Sequence, residues 1–205
     1  DLLSEWHPTM NKDLKPPEKY THGSAVKVWW KCPKGDDHEW QAFIYARTKE
    51  NGTGCPFCSG LGTSKPEIRI LCELRYLFGS DEVQWRNRIH DKEIDIFLYQ
   101  HNIGIEYDGF HWHEGILQSD IKKNKFFQKK GIQIIRVREH PLQLISKNDV
   151  IVKRKFLTKD NLNALILKIK ASLKLPLKIN FDDYIDNSTF LNEKTYKRFV
   201  SFLPS

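Results

Sequence analysis

Between residues 64 and 145 the apolar positions change period several times. Ile68, Leu71, Cys72, Leu74, Leu77 and Phe78 recur at helical spacing. Ser64, Pro66 and Glu67 supply a cap and a first turn, and Gly79 a stop. Residues 83–86 read as a short strand and 87–92 as a turn. Ile94, Ile96 and Leu98 then alternate with Asp95, Phe97 and Tyr99. After a polar turn at Gln100, His101 and Asn102, Ile103, Ile105 and Tyr107 alternate with Gly104, Glu106 and Asp108, the period of a strand. Ser119 and Asp120 open a helix through Lys130, with Ile121, Phe126 and Phe127 as its apolar side and Gly131 after it. Residues 132–137 form an apolar strand, broken at its end by Arg136, Arg138 and Glu139. The order helix, three strands, helix, strand predicts an α/β domain over 64–145, with a mixed sheet flanked by helices.

On either side the pattern differs. In residues 146–205, Leu162, Leu165, Ile166, Ile169 and Leu173 mark a helix from Asp160 that Pro176 stops. A loop at 181–184 and a short helix to Phe202 follow, so this segment reads as a basic helical extension that caps the sheet. Residues 1–63 show no long helical period. They hold Trp6, Trp29, Trp30 and Trp40 but few aliphatic residues to pack around them, and so small a unit needs a staple.

The staple is legible as Cys32 and His38, followed by Cys55 and Cys58 in a C-x-x-C knuckle. Two ligand pairs at this spacing suit a closed tetrahedral zinc site, which is structural because no position is left open. Gly52 and Gly54 suit the bends before the knuckle. His7 and His22 then read as structural or surface residues. The segment resembles zinc-ribbon domains of the tandem-array type, with treble-clef or knuckle character. The resemblance is carried by Glu5-Trp6-His7-Pro8, Val28-Trp29-Trp30-Lys31-Cys32-Pro33, His38-Glu39-Trp40, Arg47-Thr48 and Cys55-Pro56-Phe57-Cys58. One departure is the loop before His38, where Asp36 and Asp37 look inserted. The resemblance implies structural Zn2+ and leaves room for further ribbons in a longer chain.

Composition narrows the partners. No apolar run among the 205 residues approaches bilayer length, so no membrane partner is expected, and the first ten residues lack the pattern of a secretory leader. Three of the four cysteines sit in the metal pattern, which points to a reducing, intracellular compartment. The net charge of +7 is concentrated towards the end: residues 1–63 balance, 64–145 carry one excess positive charge and 146–205 carry six. Clusters at Lys122, Lys123, Lys125, Lys129 and Lys130 and at Lys153, Arg154 and Lys155 fit a polyanion such as DNA.

The chemistry centres on residues 95–113. If the strands pair, Asp95, Glu106 and Asp108 share one side, and three carboxylates together repel unless a cation neutralises them. Glu67, Glu93-Ile94-Asp95-Ile96, Ile105-Glu106-Tyr107-Asp108-Gly109, Trp112-His113, Asp120 with Lys123, and Gly131 through Arg136 together resemble the PD-(D/E)XK nuclease superfamily, in its very short patch repair endonuclease-like branch. The resemblance implies a restriction-endonuclease-like fold and a Mg2+-dependent DNA endonuclease. In it, Asp95 and Glu106 bind Mg2+ with help from the Tyr107 main chain, and Glu67 belongs to the same catalytic set. His113, or His111 as second choice, assists at the phosphate. Asp108 departs from the motif, where lysine is usual, so either a histidine or Lys123 or Lys125 from the next helix takes that part. Lys122, Lys123, Lys125, Arg136, Arg138, Lys153, Arg154 and Lys155 are the expected phosphate contacts; His90, His101 and His140 read as structural. A homodimer on duplex DNA, an RNA substrate, and an inactive nucleic-acid-binding protein on the same fold stay open.

Overall fold

In the computed structural model the chain divides into two compact units, residues 1–62 with 201–205, and residues 63–200. The structure describes residues 2–33, 38–50, 52–55, 63–173 and 179–201.

The first unit is built on an antiparallel hairpin, β1 (Lys27–Lys31) and β2 (Glu39–Phe43), paired from Lys27 opposite Phe43 to Lys31 opposite Glu39. Alternation turns Val28 and Trp30 inward. A short helix, α1 (Ile44–Thr48), delivers Arg47 between the rings of Trp30 and Trp40, 5.0 Å from each. Its guanidinium also bonds Glu5 at 2.5 Å and the Thr53 carbonyl at 2.7 Å. One desolvated but paired cation thus replaces the aliphatic core this segment lacks. The inserted loop at Asp36 and Asp37 lies outside the described residues. His7 is buried, as a structural residue would be: its Nδ1 accepts from the Thr9 and Met10 N–H groups, and Nε2 meets Glu39 at 3.1 Å.

The second unit opens with α2 (Lys65–Phe78), whose start is a full capping box between Ser64 and Glu67. Three antiparallel strands follow, β3 (Val83–Ile89), β4 (Lys92–Leu98) and β5 (Ile103–Asp108). The expected turn at 87–92 is narrower than read, because β3 runs on to Ile89. A single turn, α3 (Phe110–His113), and α4 (Leu117–Gln128) then lead into β6 (Gln133–Glu139), parallel to β5. Beyond β6, β7 (Val150–Val152) adds a fifth, parallel strand, giving the order β3-β4-β5-β6-β7. The segment read as a helical extension therefore contributes a strand as well as α5 (Lys159–Ser172), α6 (Phe181–Asp186) and α7 (Glu193–Val200), and α6 stands where a loop at 181–184 was expected. The stop at Pro176 and the end of the last helix at Phe202 lie outside the described residues. The result is an α/β unit with a mixed sheet, and no helix among the described residues is long and apolar enough to cross a membrane.

Two cores share the sheet. Ile96, Leu98, Ile103, Ile105, Tyr107, Ile135 and Val137 pack with α2, α5 and α6, whereas Ile94, Phe97, Ile132 and Ile134 pack with Phe127 of α4. Gly104 lets the second core close: a Cβ there would lie 2.6 Å from Ile134 Cδ1 and 3.0 Å from Ile94 Cγ2. Past the middle of α2, fully buried Glu73 accepts hydrogen bonds from Tyr184 Oη (2.6 Å) and from the Leu191 and Asn192 N–H groups (2.9 Å each). A buried acidic side chain is thereby satisfied by donors from the last third of the chain.

Candidate functional site

Asp95 sits where the sheet splays. The β4–β5 ladder runs from Leu98 opposite Ile103 to Ile96 opposite Ile105 and stops there. On the other side, Arg86 of β3 takes a positive φ of 51° and drops out of the pairing between Trp85 and Asn87. Ile96 packs in one core and Ile94 in the other, so the expected alternation of Ile94 with Ile96 and Leu98 breaks at the residue between them. Having lost its ladder partners, the chain uses a side chain instead: Asp95 Oδ2 accepts the Tyr107 N–H at 2.8 Å.

This break brings together three carboxylates, from α2, β4 and β5. Glu67, 3% exposed, accepts Trp85 Nε1–H at 2.9 Å. Glu106, also 3% exposed, receives Lys123 Nζ of α4 on Oε2 at 2.6 Å, while its buried Oε1 has no hydrogen-bond partner among the described residues. Burial, and next the Asp95 charge, push both glutamates up to about 8. The Lys123 contact favours ionised Glu106, but burial outweighs it. Asp95 is raised too, by burial, despite the Tyr107 N–H and the Lys123 charge. The cluster is therefore short of positive charge, and it answers by retaining protons or by taking a cation. Asp95 is only half-buried, which leaves a way in from solvent.

Asp108 has a different setting from the one expected of it. It is fully buried and accepts Arg136 Nη1 at 2.6 Å and Arg138 Nη1 at 2.7 Å. The parallel β5–β6 register explains this by setting Glu106 opposite Arg136 and Asp108 opposite Arg138. Read from the sequence as phosphate contacts, Arg136 and Arg138 are instead fully buried and spent on carboxylates. Arg136 also bonds Asn124 Oδ1 at 2.9 Å, and Arg138 reaches Asp120 at 3.2 Å. Burial raises Asp120, but His113 and the two arginines outweigh it and hold its carboxyl below the usual range. His113, 21% exposed, places Nδ1 3.0 Å from Asp120 Oδ2, and its Nε2 lies 3.5 Å from Asp108. Asp108, His113 and Asp120 are close enough to share an ion, yet two guanidiniums already fill that place with positive charge.

The other expected residues lie around this centre. His111 is exposed on α3, edge-on to an exposed Trp112. Lys122, Lys125, Lys153, Arg154 and Lys155 are all exposed, as phosphate contacts would have to be. Sequence reasoning missed Asp120 as the partner of His113, Asn124, and Glu139. The signal for Asp120 was present: Asp120, Lys123 and Phe127 recur at helical spacing and so share the inner side of α4.

In the first unit, Cys32, His38 and Cys55 are buried, with ligand atoms all within 4.8 Å of one another. Cys55 Sγ lies 3.8 Å from His38 Nδ1, near the S···N edge of about 3.6 Å that zinc bond lengths and a tetrahedral angle give. His38 would therefore bind through Nδ1. Cys58, the expected fourth ligand, lies outside the described residues. Residues 2–61 match a family model described as Probable Treble clef zinc finger domain. The N-terminal unit is zinc-finger-like. Comparisons of the chain with curated proteins and with solved structures find no match.

Proposed function

We propose that the second unit is a divalent-metal-dependent endonuclease that hydrolyses phosphodiester bonds in DNA, on a restriction-endonuclease-like fold akin to the very short patch repair type. The observation that carries this reading is Glu106: a buried carboxyl with one oxygen on Lys123 and the other without a hydrogen-bond partner among the described residues, raised by burial and next by the charge of Asp95. A hard cation suits such oxygen donors. Asp95 and Glu106 would hold Mg2+, with the Tyr107 main chain as a further donor and Glu67 behind. When bound, the ion would polarise the phosphate and make a coordinated water more acidic.

The remaining roles fall to the chain. Lys123 supplies from α4 the positive charge that Asp108 cannot, and steadies charge developing on the phosphate. Asp120 fixes the His113 ring through Nδ1, leaving Nε2 as the nitrogen that moves a proton. Lys122, Lys125, Lys153, Arg154 and Lys155 grip backbone phosphates. The zinc finger acts as a structural module.

Incubating supercoiled, linear, mismatched and single-stranded DNA with Mg2+ tests this. Metal-dependent nicking or cutting is expected, lost in Asp95→Ala and Glu106→Ala while both remain folded. Undiminished cleavage in both variants would refute the site. A second reading, an inactive DNA-binding protein, draws on Asp108, which stands at the motif lysine and is tied to two arginines. DNA affinity without turnover in either Mg2+ or Mn2+ would favour it.

A further inference from the structure

Glu139 closes β6 and is 5% exposed. Its two oxygens take three short hydrogen bonds from three segments. Oε1 accepts Tyr107 Oη–H at 2.8 Å and Lys155 N–H at 2.6 Å, and Oε2 accepts Phe110 N–H at 2.8 Å. Each donor leads elsewhere. Tyr107 gives its own N–H to Asp95. Phe110 begins α3, the turn that ends in His113. Lys155 belongs to the exposed basic segment, whose Arg154 guanidinium rests 3.6 Å over the Phe110 ring.

We infer that Glu139 is a positioning residue: it fixes the His113 turn and the basic segment around residues 153–155 against the Asp95–Glu106 pocket. It lies behind Tyr107 and touches no reacting atom. The inference rests on the nuclease reading for the reaction it serves, but its geometric content stands apart from that reading. A carboxylate is required, because three donors converge on two acceptors. A carboxamide has a single acceptor oxygen and must turn its own N–H on at least one of the three donors.

The test uses the full chain with Glu139→Gln, with Tyr107→Phe removing one donor as a second variant, and reads both by NMR and by kinetics. In Glu139→Gln the amide resonances of Phe110 and Lys155 and the imidazole resonances of His113 shift, and those two amides exchange faster, while α5 and α6 keep wild-type spectra. Tyr107→Phe leaves the Phe110 amide in place, since that bond uses the other oxygen. On DNA, kcat of Glu139→Gln falls roughly 10- to 100-fold, the usual loss when an outer partner of a metal site is removed. Unchanged His113 and Phe110 resonances overturn the inference. So does a loss of protection spread evenly through residues 63–200, which marks a residue that merely stabilises the fold. If the wild-type protein cleaves no DNA, the nuclease reading fails, and the resonances still decide whether Glu139 positions the turn.

Discussion

Replacing Glu106 by glutamine should make the metal-free protein more resistant to alkali. The carboxyl of Glu106 is pushed from 4.5 to about 8 in the folded chain. Below about pH 4.5 the group is protonated in folded and unfolded chains alike, and titration alters nothing. From there to about pH 8 the unfolded chain releases its proton while the folded chain holds it, so stability falls as pH rises, by about 1.4 kcal/mol per pH unit. Between about pH 6 and pH 8 that slope costs the wild type on the order of 3 kcal/mol, an upper bound because water and Lys123 can reorganise. Glutamine keeps the shape and an acceptor for Lys123 but does not titrate. The stability difference between variant and wild type should therefore move by up to about 3 kcal/mol in favour of the variant over that interval. Four of the six tryptophans, Trp6, Trp29, Trp30 and Trp40, report on the zinc finger. Hydrogen exchange at the β5 amides is thus the cleaner measure. A variant-minus-wild-type difference that stays constant from about pH 6 to pH 9 would refute the electrostatic account of the pocket. On the proposed metal reading, Mg2+ flattens the wild-type fall and leaves the variant unchanged.

Asp108→Asn leaves Arg136 and Arg138 buried against too little negative charge; it should cost about 3–5 kcal/mol in denaturant unfolding of the second unit, and a loss below about 1 kcal/mol would contradict the ion network. Gly104→Ala forces a Cβ to 2.6 Å from Ile134 Cδ1 and should lower stability by about 1–3 kcal/mol, measured as a shift in the urea midpoint. Chelation of zinc, or Cys55→Ser, should abolish the folded signals of residues 2–55 in NMR while β3 to β7 stay protected, since structural zinc sites and their small folds form together.

Much of the fold could be read from periodicity, because long apolar repeats report a single helix or strand locally. The Ser64–Glu67 start and the two carboxylate-bearing strands occur where the pattern puts them, and the Asp120 helix is shifted back by two residues, to Leu117–Gln128. What escaped depends on neighbours distant in sequence. Arg136 and Arg138 read as surface cations, because nothing in a strand's own residues tells that Asp108 and Glu106 lie across a parallel ladder. The three residues of β7 carry too little pattern to announce a strand inside a lysine-rich stretch. Ile94 looked equivalent to Ile96 until the break at Asp95 sent them to different cores. Glu139 could have been suspected: an acidic residue closing an apolar strand that runs parallel to β5 must end beside Asp108.

The saturation of Glu73 has a consequence for how the chain assembles. Its donors Tyr184, Leu191 and Asn192 lie 111, 118 and 119 residues further on. During synthesis, α2 emerges long before these donors, with only Arg69 one turn back at 3.7 Å to face the carboxyl, so this side of the helix stays hydrated while the sheet forms beneath it. Closure of the final segment then becomes a late, long-range step, of the kind that slows folding and leaves apolar surface open in the interval. The other end of the same helix carries Glu67, whose partners Ser64 and Trp85 lie 3 and 18 residues away, so the pocket end of α2 can settle while the Glu73 side still waits.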